Sequence, residues 1–166
     1  MDKDKPAGPA HEQQASALHT AKGRLEYLTP NDWSLILDKS KKQRFKKGDR
    51  LVEQGKQGKV LYILGAGKVS ISVGGARIAQ IGPGEICGDM AFLENSVASA
   101  TAIAEDEVEV HALEWASLES LFELFPHLAS RFYRSLAVNL SRRLRDQIGG
   151  KRSPKEPTPH SEPPRK

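Results

Sequence analysis

The chain has 166 residues, of which 38% are hydrophobic, enough to bury one ordinary core but too few for a second independent domain. Its formal net charge of +4 is modest, so the placement of the charges matters more than their sum. No apolar run approaches the roughly 20 residues that span a bilayer, and the polar start does not resemble a signal peptide, so we expect a cytoplasmic protein. The single cysteine, Cys87, excludes an intramolecular disulfide and is expected to be a buried, inert thiol.

Both ends of the sequence lack the apolar periodicity of packed elements. Residues 1–24 mix Lys, Gln, Ala, Gly and Pro, and residues 149–166 contain five prolines and almost nothing that could pack. We therefore predict a disordered N-terminal tail over 1–24, one domain over 25–148, and a disordered, proline-rich basic tail over 149–166.

The domain begins with a helix and continues with short strands. Thr29 and Pro30 have the residue types of a helix N-cap and first helical position, which predicts a helix over about 30–40. Nine glycines between positions 48 and 84 then separate short aliphatic runs, which is typical of strands joined by tight turns.

The clearest turn is the pair Gly74-Gly75, which predicts a two-residue hairpin between strands over 68–73 and 76–81. Alternating apolar residues predict the buried face of this half-buried hairpin: Val69, Ile71 and Val73 in one arm, Ile78 and Ile81 in the other.

Two more strand-like runs, 98–104 and 108–113, precede two helices, the first of which stops before Pro126. The second is amphipathic, has about five turns and is expected to end at Gly149-Gly150. Its apolar stripe has a spacing of four: Leu128, Phe132, Leu136, Leu140, Leu144 and Ile148. This order of elements predicts a β-barrel or two-sheet roll with helices packed outside it.

Seven short segments share their order and spacing with one known family. They are FKKGD (45–49), QG (54–55), LYIL (61–64), GKV (67–69), IGPGE (81–85), GDMAFL (88–93) and SAT (99–101). In these segments the chain resembles the cyclic nucleotide-binding domain, found in the regulatory subunits of cyclic AMP-dependent kinase, the bacterial catabolite activator and cyclic nucleotide-gated channels. The resemblance covers about residues 30–148. It implies a mainly β fold: an eight-stranded antiparallel jelly roll with an N-terminal helix, a short cassette helix and two C-terminal helices.

The resemblance also implies a phosphate-binding cassette over 88–101. In such a cassette a glycine lets the backbone approach the sugar-phosphate, and a short helix points N–H groups at the anion. Asp89 stands where the family has a glutamate that accepts the ribose 2′-hydroxyl; the alternative is an ordinary acid favoured at a helix start. The implied ligand-binding residues are Gly88, Asp89, Met90, Ala91, Ala98, Ser99, Ala100 and Thr101.

The chain departs from the family just before Ser99, where the family has proline and then arginine, and this chain has Val97 and Ala98. The family's arginine neutralises the cyclic phosphate. A charge-assisted contact contributes roughly 1.5–3 kcal/mol, so its loss is expected to lower affinity by at least about ten- to a hundredfold. An anionic ligand would need counter-charge from elsewhere, such as Arg77 or another subunit.

Two functions fit this sequence. The favoured one is a non-enzymatic cytoplasmic regulatory module in signalling that acts through protein–protein interaction, with weak or lost nucleotide binding. The alternative is a sensor of cyclic AMP or cyclic GMP that binds through backbone N–H groups, Asp89, Ser99 and Thr101. A partner or a second copy of the chain is expected on the last helix, at Leu140, Leu144 and Ile148.

The sequence gives less support to an enzyme, a metal-binding protein or a nucleic-acid-binding protein. No required cofactor, metal-ligand pattern or catalytic motif is predicted. No helix-turn-helix follows the long helix. The two basic clusters, within 39–50 and 142–152, have Phe45 as their one interleaved aromatic residue and so offer no stacking platform, and the sequence therefore disfavours nucleic acid as a partner.

Overall fold

The computed structural model describes residues 25–151. Within this range eight strands form two four-stranded antiparallel sheets, and four helices lie beside them. The predicted fold class, a mainly β jelly roll with flanking helices, is confirmed. The predictions of disorder over 1–24 and after residue 151 lie outside the described residues.

The element bounds follow the predicted order. The helices are α1 (Pro30–Lys39), α2 (Asp89–Glu94), α3 (Trp115–Leu124) and α4 (Pro126–Lys151). The strands are β1 (Lys41–Phe45), β2 (Arg50–Val52), β3 (Val60–Ala66), β4 (Val69–Val73), β5 (Ala76–Ile81), β6 (Ile86–Cys87), β7 (Thr101–Ala104) and β8 (Val108–Glu114). One sheet has the order β1-β8-β3-β6 and the other β2-β7-β4-β5.

The sheet that contains β3 and β8 is covered on both faces, because successive residues of a strand point to opposite sides. Its inner face packs against the second sheet through buried residues that include Leu64, Val69 and Val110. Its outer face packs against the helices through Leu61 and Ile63. The fold therefore has two apolar cores, one inside the roll and one beneath the helices.

The single cysteine lies in the inner core. Cys87 is buried, which confirms the predicted position. Burial raises the pKa of its thiol to about 12, and the charge of nearby Asp89 acts in the same direction. A thiol with this pKa is protonated at neutral pH, so it is a poor nucleophile.

The predicted hairpin at Gly74-Gly75 is present, with one difference. The pairing steps from Ile71 opposite Ala79 to Ser72 opposite Arg77, so Ile78 is an extra, bulged residue. A bulge re-aims the side chains of its strand. The prediction that Ile78 and Val73 lie on the buried face is wrong, since both side chains are exposed, whereas Ile81 is buried as predicted.

Helix α1 begins where the sequence predicts, and its first turn also holds α4. Thr29 and Asp32 form a reciprocal capping box, in which each side chain accepts a hydrogen bond from the other residue's backbone N–H. The buried Asp32 carboxylate also accepts two hydrogen bonds from Arg131 of α4, at 2.6 and 2.8 Å. This bidentate pair fixes α1 against the first half of α4.

Helix α4 is longer than predicted, and its apolar stripe is buried in its first half only, as expected from a helix that extends past the roll. It has 26 residues and continues through Gly149 and Gly150, because glycine weakens a helix without ending it unless the backbone turns left-handed there. Leu136 is buried, and Leu144 and Ile148 beyond it are exposed, both as predicted. Residues spaced by four drift about 40° per step around a helix, so the stripe rotates away from the core. The buried side of α4 continues instead through Asn139, with Arg143 one turn later.

Candidate functional site

The predicted cassette, residues 88–101, connects β6 to β7 and contains α2. It begins at Gly88, whose φ of +87° is in the left-handed region that glycine adopts without strain. A Cβ at this position would lie 3.4 Å from the carbonyl oxygen of Val60. The left-handed backbone conformation therefore explains why glycine starts the cassette, and strand β3 lies within contact distance.

Helix α2 is fixed from below by an aromatic cluster. The Phe92 ring lies 5.8 Å from the ring of Trp115 and 6.3 Å from those of Phe132 and Tyr133. These rings connect the cassette helix to the start of α3 and to α4. Of the other residues of α2, Met90 is exposed, whereas Ala91 is buried in the same core as Phe92.

Asp89 is buried, with 5% of its surface exposed, and it pairs with a residue of α4. Arg143 Nη1 donates a hydrogen bond to Asp89 Oδ2 at 3.3 Å. A single nitrogen makes this contact, and it engages only one of the two carboxylate oxygens of Asp89. Sequence reasoning missed Arg143, which is 54 residues from Asp89. No sequence signal marks Arg143, because the burial of Asn139, one helical turn before it, is seen only in the structure.

Ala98, the position where the resemblance places the family's arginine, is buried with 6% of its surface exposed. Its N–H donates to the carbonyl oxygen of Lys56 at 3.0 Å, and its carbonyl accepts from the N–H of Gly55 at 2.8 Å. The loop between β2 and β3 therefore lies directly against this part of the cassette. Neither backbone group of Ala98 is left for a ligand, and its side chain offers only a methyl group.

The hydroxyls at the end of the cassette have different surroundings. Ser99 is exposed, and its Oγ lies 3.8 Å from Sδ of Met90. Thr101 Oγ1 accepts a hydrogen bond from the backbone N–H of Gln54 at 3.0 Å, which leaves its own hydrogen to donate. The Gln54 side chain accepts from the N–H of Gly74 at 2.9 Å, so the same residue also holds the β4–β5 hairpin. Ala100, between the two hydroxyls, is partly buried.

Arg77, the basic residue that the sequence suggested as a source of counter-charge, is engaged elsewhere. It forms an ion pair with Glu105 at 2.7 Å, and Gln80 contacts the same carboxylate. The bulge at Ile78 puts Arg77 and Gln80 on one side of β5, which explains how both reach Glu105.

Lys56, unlike Arg77, is hydrogen-bonded to the cassette through its backbone, and it was also missed by sequence reasoning. Its Nζ contacts Glu53 Oε2 at 2.9 Å, and Arg50 contacts the other oxygen of Glu53 at 3.2 Å. The hydrogen bond from Lys56 holds the pKa of the Glu53 carboxyl below its ordinary value. All three side chains are accessible to solvent, whereas Asp89, the partner of Arg143, is buried.

Two further properties concern the described part of the chain. In residues 25–151, no helix combines the length and the apolar character needed to cross a membrane. The same residues contain no group of three or more His, Cys, Asp or Glu side chains that could hold a metal ion.

Known proteins match this chain over most of the described residues. The cyclic AMP receptor protein of Thermus thermophilus is 32% identical over 124 residues, which cover 72% of this chain and 56% of that protein. The cyclic GMP-binding protein C of Dictyostelium discoideum is 28% identical over 136 residues, 74% of this chain but 5% of that protein. The chain thus spans little more than half the length of one of these curated relatives and a small part of the other.

The fold is similar to that of a solved relative, and a family model also matches. The crystal structure of the Thermus thermophilus catabolite activator protein has a TM-score of 0.63 and 29% identity, and the match covers 81% of this chain and 61% of that one. The model described as the cyclic nucleotide-binding domain matches residues 42–124. The chain belongs to the cyclic nucleotide-binding domain family.

Proposed function

We propose that the chain is a non-enzymatic regulatory module that acts through protein contacts and binds cyclic nucleotide only weakly. The observation that carries this proposal is the buried methyl group of Ala98, whose backbone N–H and carbonyl are both already hydrogen-bonded. A cyclic phosphate near this position would lose water without gaining a charged partner from the cassette. The lost charge-assisted contact is worth roughly 1.5–3 kcal/mol, which corresponds to about a ten- to hundredfold loss of affinity.

The second half of α4 supports the protein contact. Leu144 and Ile148 are 58% and 56% exposed, and Leu140 before them is partly buried. They lie four residues apart, so together they form an apolar strip along one side of the helix. A second copy of the chain presents the same strip, and two such strips can pack together in an isologous dimer. Light scattering across a concentration series tests this: a monomer mass at the highest concentration would exclude the dimer.

A second candidate function, a cyclic nucleotide sensor, is favoured by one specific observation. Arg143 balances the charge of Asp89, so the start of the cassette does not present an uncompensated acid to an anionic ligand. Asp89 can accept a further hydrogen bond through Oδ1, and the Thr101 hydroxyl, which accepts from Gln54, can donate one. This arrangement supports binding without an arginine at position 98.

Calorimetric titration with cyclic AMP and cyclic GMP decides between the two candidates. The matched proteins are the natural chain and Ala98→Arg, with Ala100→Arg as a control that adds the same charge two residues later. If the proposal is right, Ala98→Arg binds at least about tenfold more tightly than the natural chain and the control. Equally tight binding by the natural chain and Ala98→Arg favours the sensor, and no binding by either means that the cassette is not a nucleotide site.

A further inference from the structure

The cassette segment 86–101 contains no lysine or arginine of its own, so any positive charge at the site comes from another element. Two basic residues are bonded to it. Arg143 reaches it from α4 through Asp89, and Lys56 reaches it from the β2–β3 loop through the main chain of Ala98. The two side chains differ in how easily each could leave its present partner for an anionic ligand.

The backbone of Lys56 lies beside that of Ala98. Ala98 N–H donates to Lys56 O at 3.0 Å and Ala98 O accepts from Gly55 N–H at 2.8 Å, so two loop residues lie opposite Ala98, as in a β-bulge whose first residue is a left-handed glycine. A lysine has a flexible four-carbon stem that carries an ammonium with three donors. Its charge can therefore reach the region that an arginine side chain at position 98 would serve.

Lys56 can also leave its present partner more easily than Arg143 can. The Lys56 side chain is 72% exposed, and its partner Glu53 has a second cation, Arg50, at 3.2 Å. Exposed ion pairs contribute little to stability, and Glu53 would not be left alone. Arg143 is instead paired with Asp89, whose carboxylate is buried, and its departure would leave a buried charge without a partner.

We propose that Lys56 supplies the positive charge for the phosphate of a cyclic nucleotide in this cassette, exchanging Glu53 for the ligand. The inference rests on the proposed function, in which the cassette keeps a weak affinity for cyclic nucleotide. It also makes Glu53 an internal competitor of the ligand, because both anions use the same ammonium. The weak affinity then depends on a residue outside the cassette segment.

Calorimetry with cyclic AMP on single variants of the natural chain tests the inference. Lys56→Ala is expected to bind at least about tenfold more weakly, and Lys56→Arg, which keeps the charge, within about threefold of the natural chain. Glu53→Gln removes the competitor, so it is expected to bind more tightly than the natural chain. Lys59→Ala, an exposed lysine of the same loop, is the matched control and is expected to bind like the natural chain.

Two results would overturn the role of Lys56. One is equal affinity of Lys56→Ala and Lys59→Ala, and the other is Glu53→Gln binding no tighter than the natural chain. Unmeasurable binding by the natural chain would also overturn the role of Lys56. In that case the binding of Ala98→Arg distinguishes failure of the Lys56 inference from failure of the proposed function. If Ala98→Arg binds, the proposed function stands and only the Lys56 inference fails; if it does not, both fail. Circular dichroism confirms that each variant is folded, which is expected at positions 56 and 53 because the Lys56 and Glu53 side chains are accessible to solvent.

Discussion

The pairing of Asp89 with Arg143 predicts that two adjacent arginines differ in their importance for stability. Arg142 also forms an ion pair, with Glu26 at 2.9 Å, but both of its members are exposed. An exposed pair contributes roughly 0.2–1 kcal/mol, whereas a buried charged acceptor left without its partner costs about 1–3 kcal/mol or more. We expect Arg143→Ala to lower the free energy of unfolding by about 1–3 kcal/mol and Arg142→Ala by less than about 1 kcal/mol.

Urea unfolding followed by tryptophan fluorescence measures this difference, since Trp33 and Trp115 are both buried and report on the helical core. The double variant Asp89→Asn/Arg143→Ala removes the carboxylate charge that the arginine balances. It is expected to be less destabilised than the sum of the two single variants, with a coupling of at least about 0.5 kcal/mol. Equal losses for Arg142→Ala and Arg143→Ala, or additive losses at positions 89 and 143, would refute the reasoning.

Three other predictions concern the core and the helices. Burial disfavours the charged form of Asp32, but the hydrogen bonds from Arg131 and from Thr29 outweigh this and lower the pKa of its carboxyl. Because the folded-state pKa lies below the unfolded one, the pair stabilises the fold above about pH 4, and this stability is lost as pH falls through the folded pKa. Asp32→Asn should therefore flatten the acid limb of a stability–pH curve. Leu136→Ala, in the buried half of α4, should lower the free energy of unfolding in urea by about 2–5 kcal/mol. Leu144→Ala, in the exposed half, should lower it by less than about 1 kcal/mol. Similar losses of stability for the two variants would contradict the placement of the helix. Cys87 should react with a thiol reagent at pH 8 only at the rate of unfolding, and rapid labelling of the folded chain would show that the thiol is accessible.

The parts of the fold that follow from local chemistry could be predicted from the sequence. Thr29 and Pro30 specify the start of α1 through capping and a fixed φ angle, and Gly74-Gly75 permits the positive φ angles that close the β4–β5 hairpin. These signals need only neighbouring residues. They therefore appear in the sequence regardless of what the rest of the chain does.

The parts that depend on the path of a helix or strand could not be predicted in the same way. The apolar spacing of four in α4 predicted that the helix beyond Leu136 lies clear of the roll, but it did not predict that the helical period brings Arg143 to the cassette. The bulge at Ile78 likewise redirects Arg77 toward Glu105, and no local residue type announces it. The contacts of Arg143 and Lys56 with the cassette depend on residues more than 40 positions apart, so they become visible only in three dimensions.

The most direct test of the account is the ratio of the cyclic AMP dissociation constants of the natural chain and Ala98→Arg, measured by calorimetry in one buffer. A cassette that has kept its backbone shape around Gly88 and Asp89 but lacks a cation at position 98 predicts a ratio of at least about ten in favour of the variant. A ratio near one, or a natural chain that binds more tightly than the variant, would contradict it.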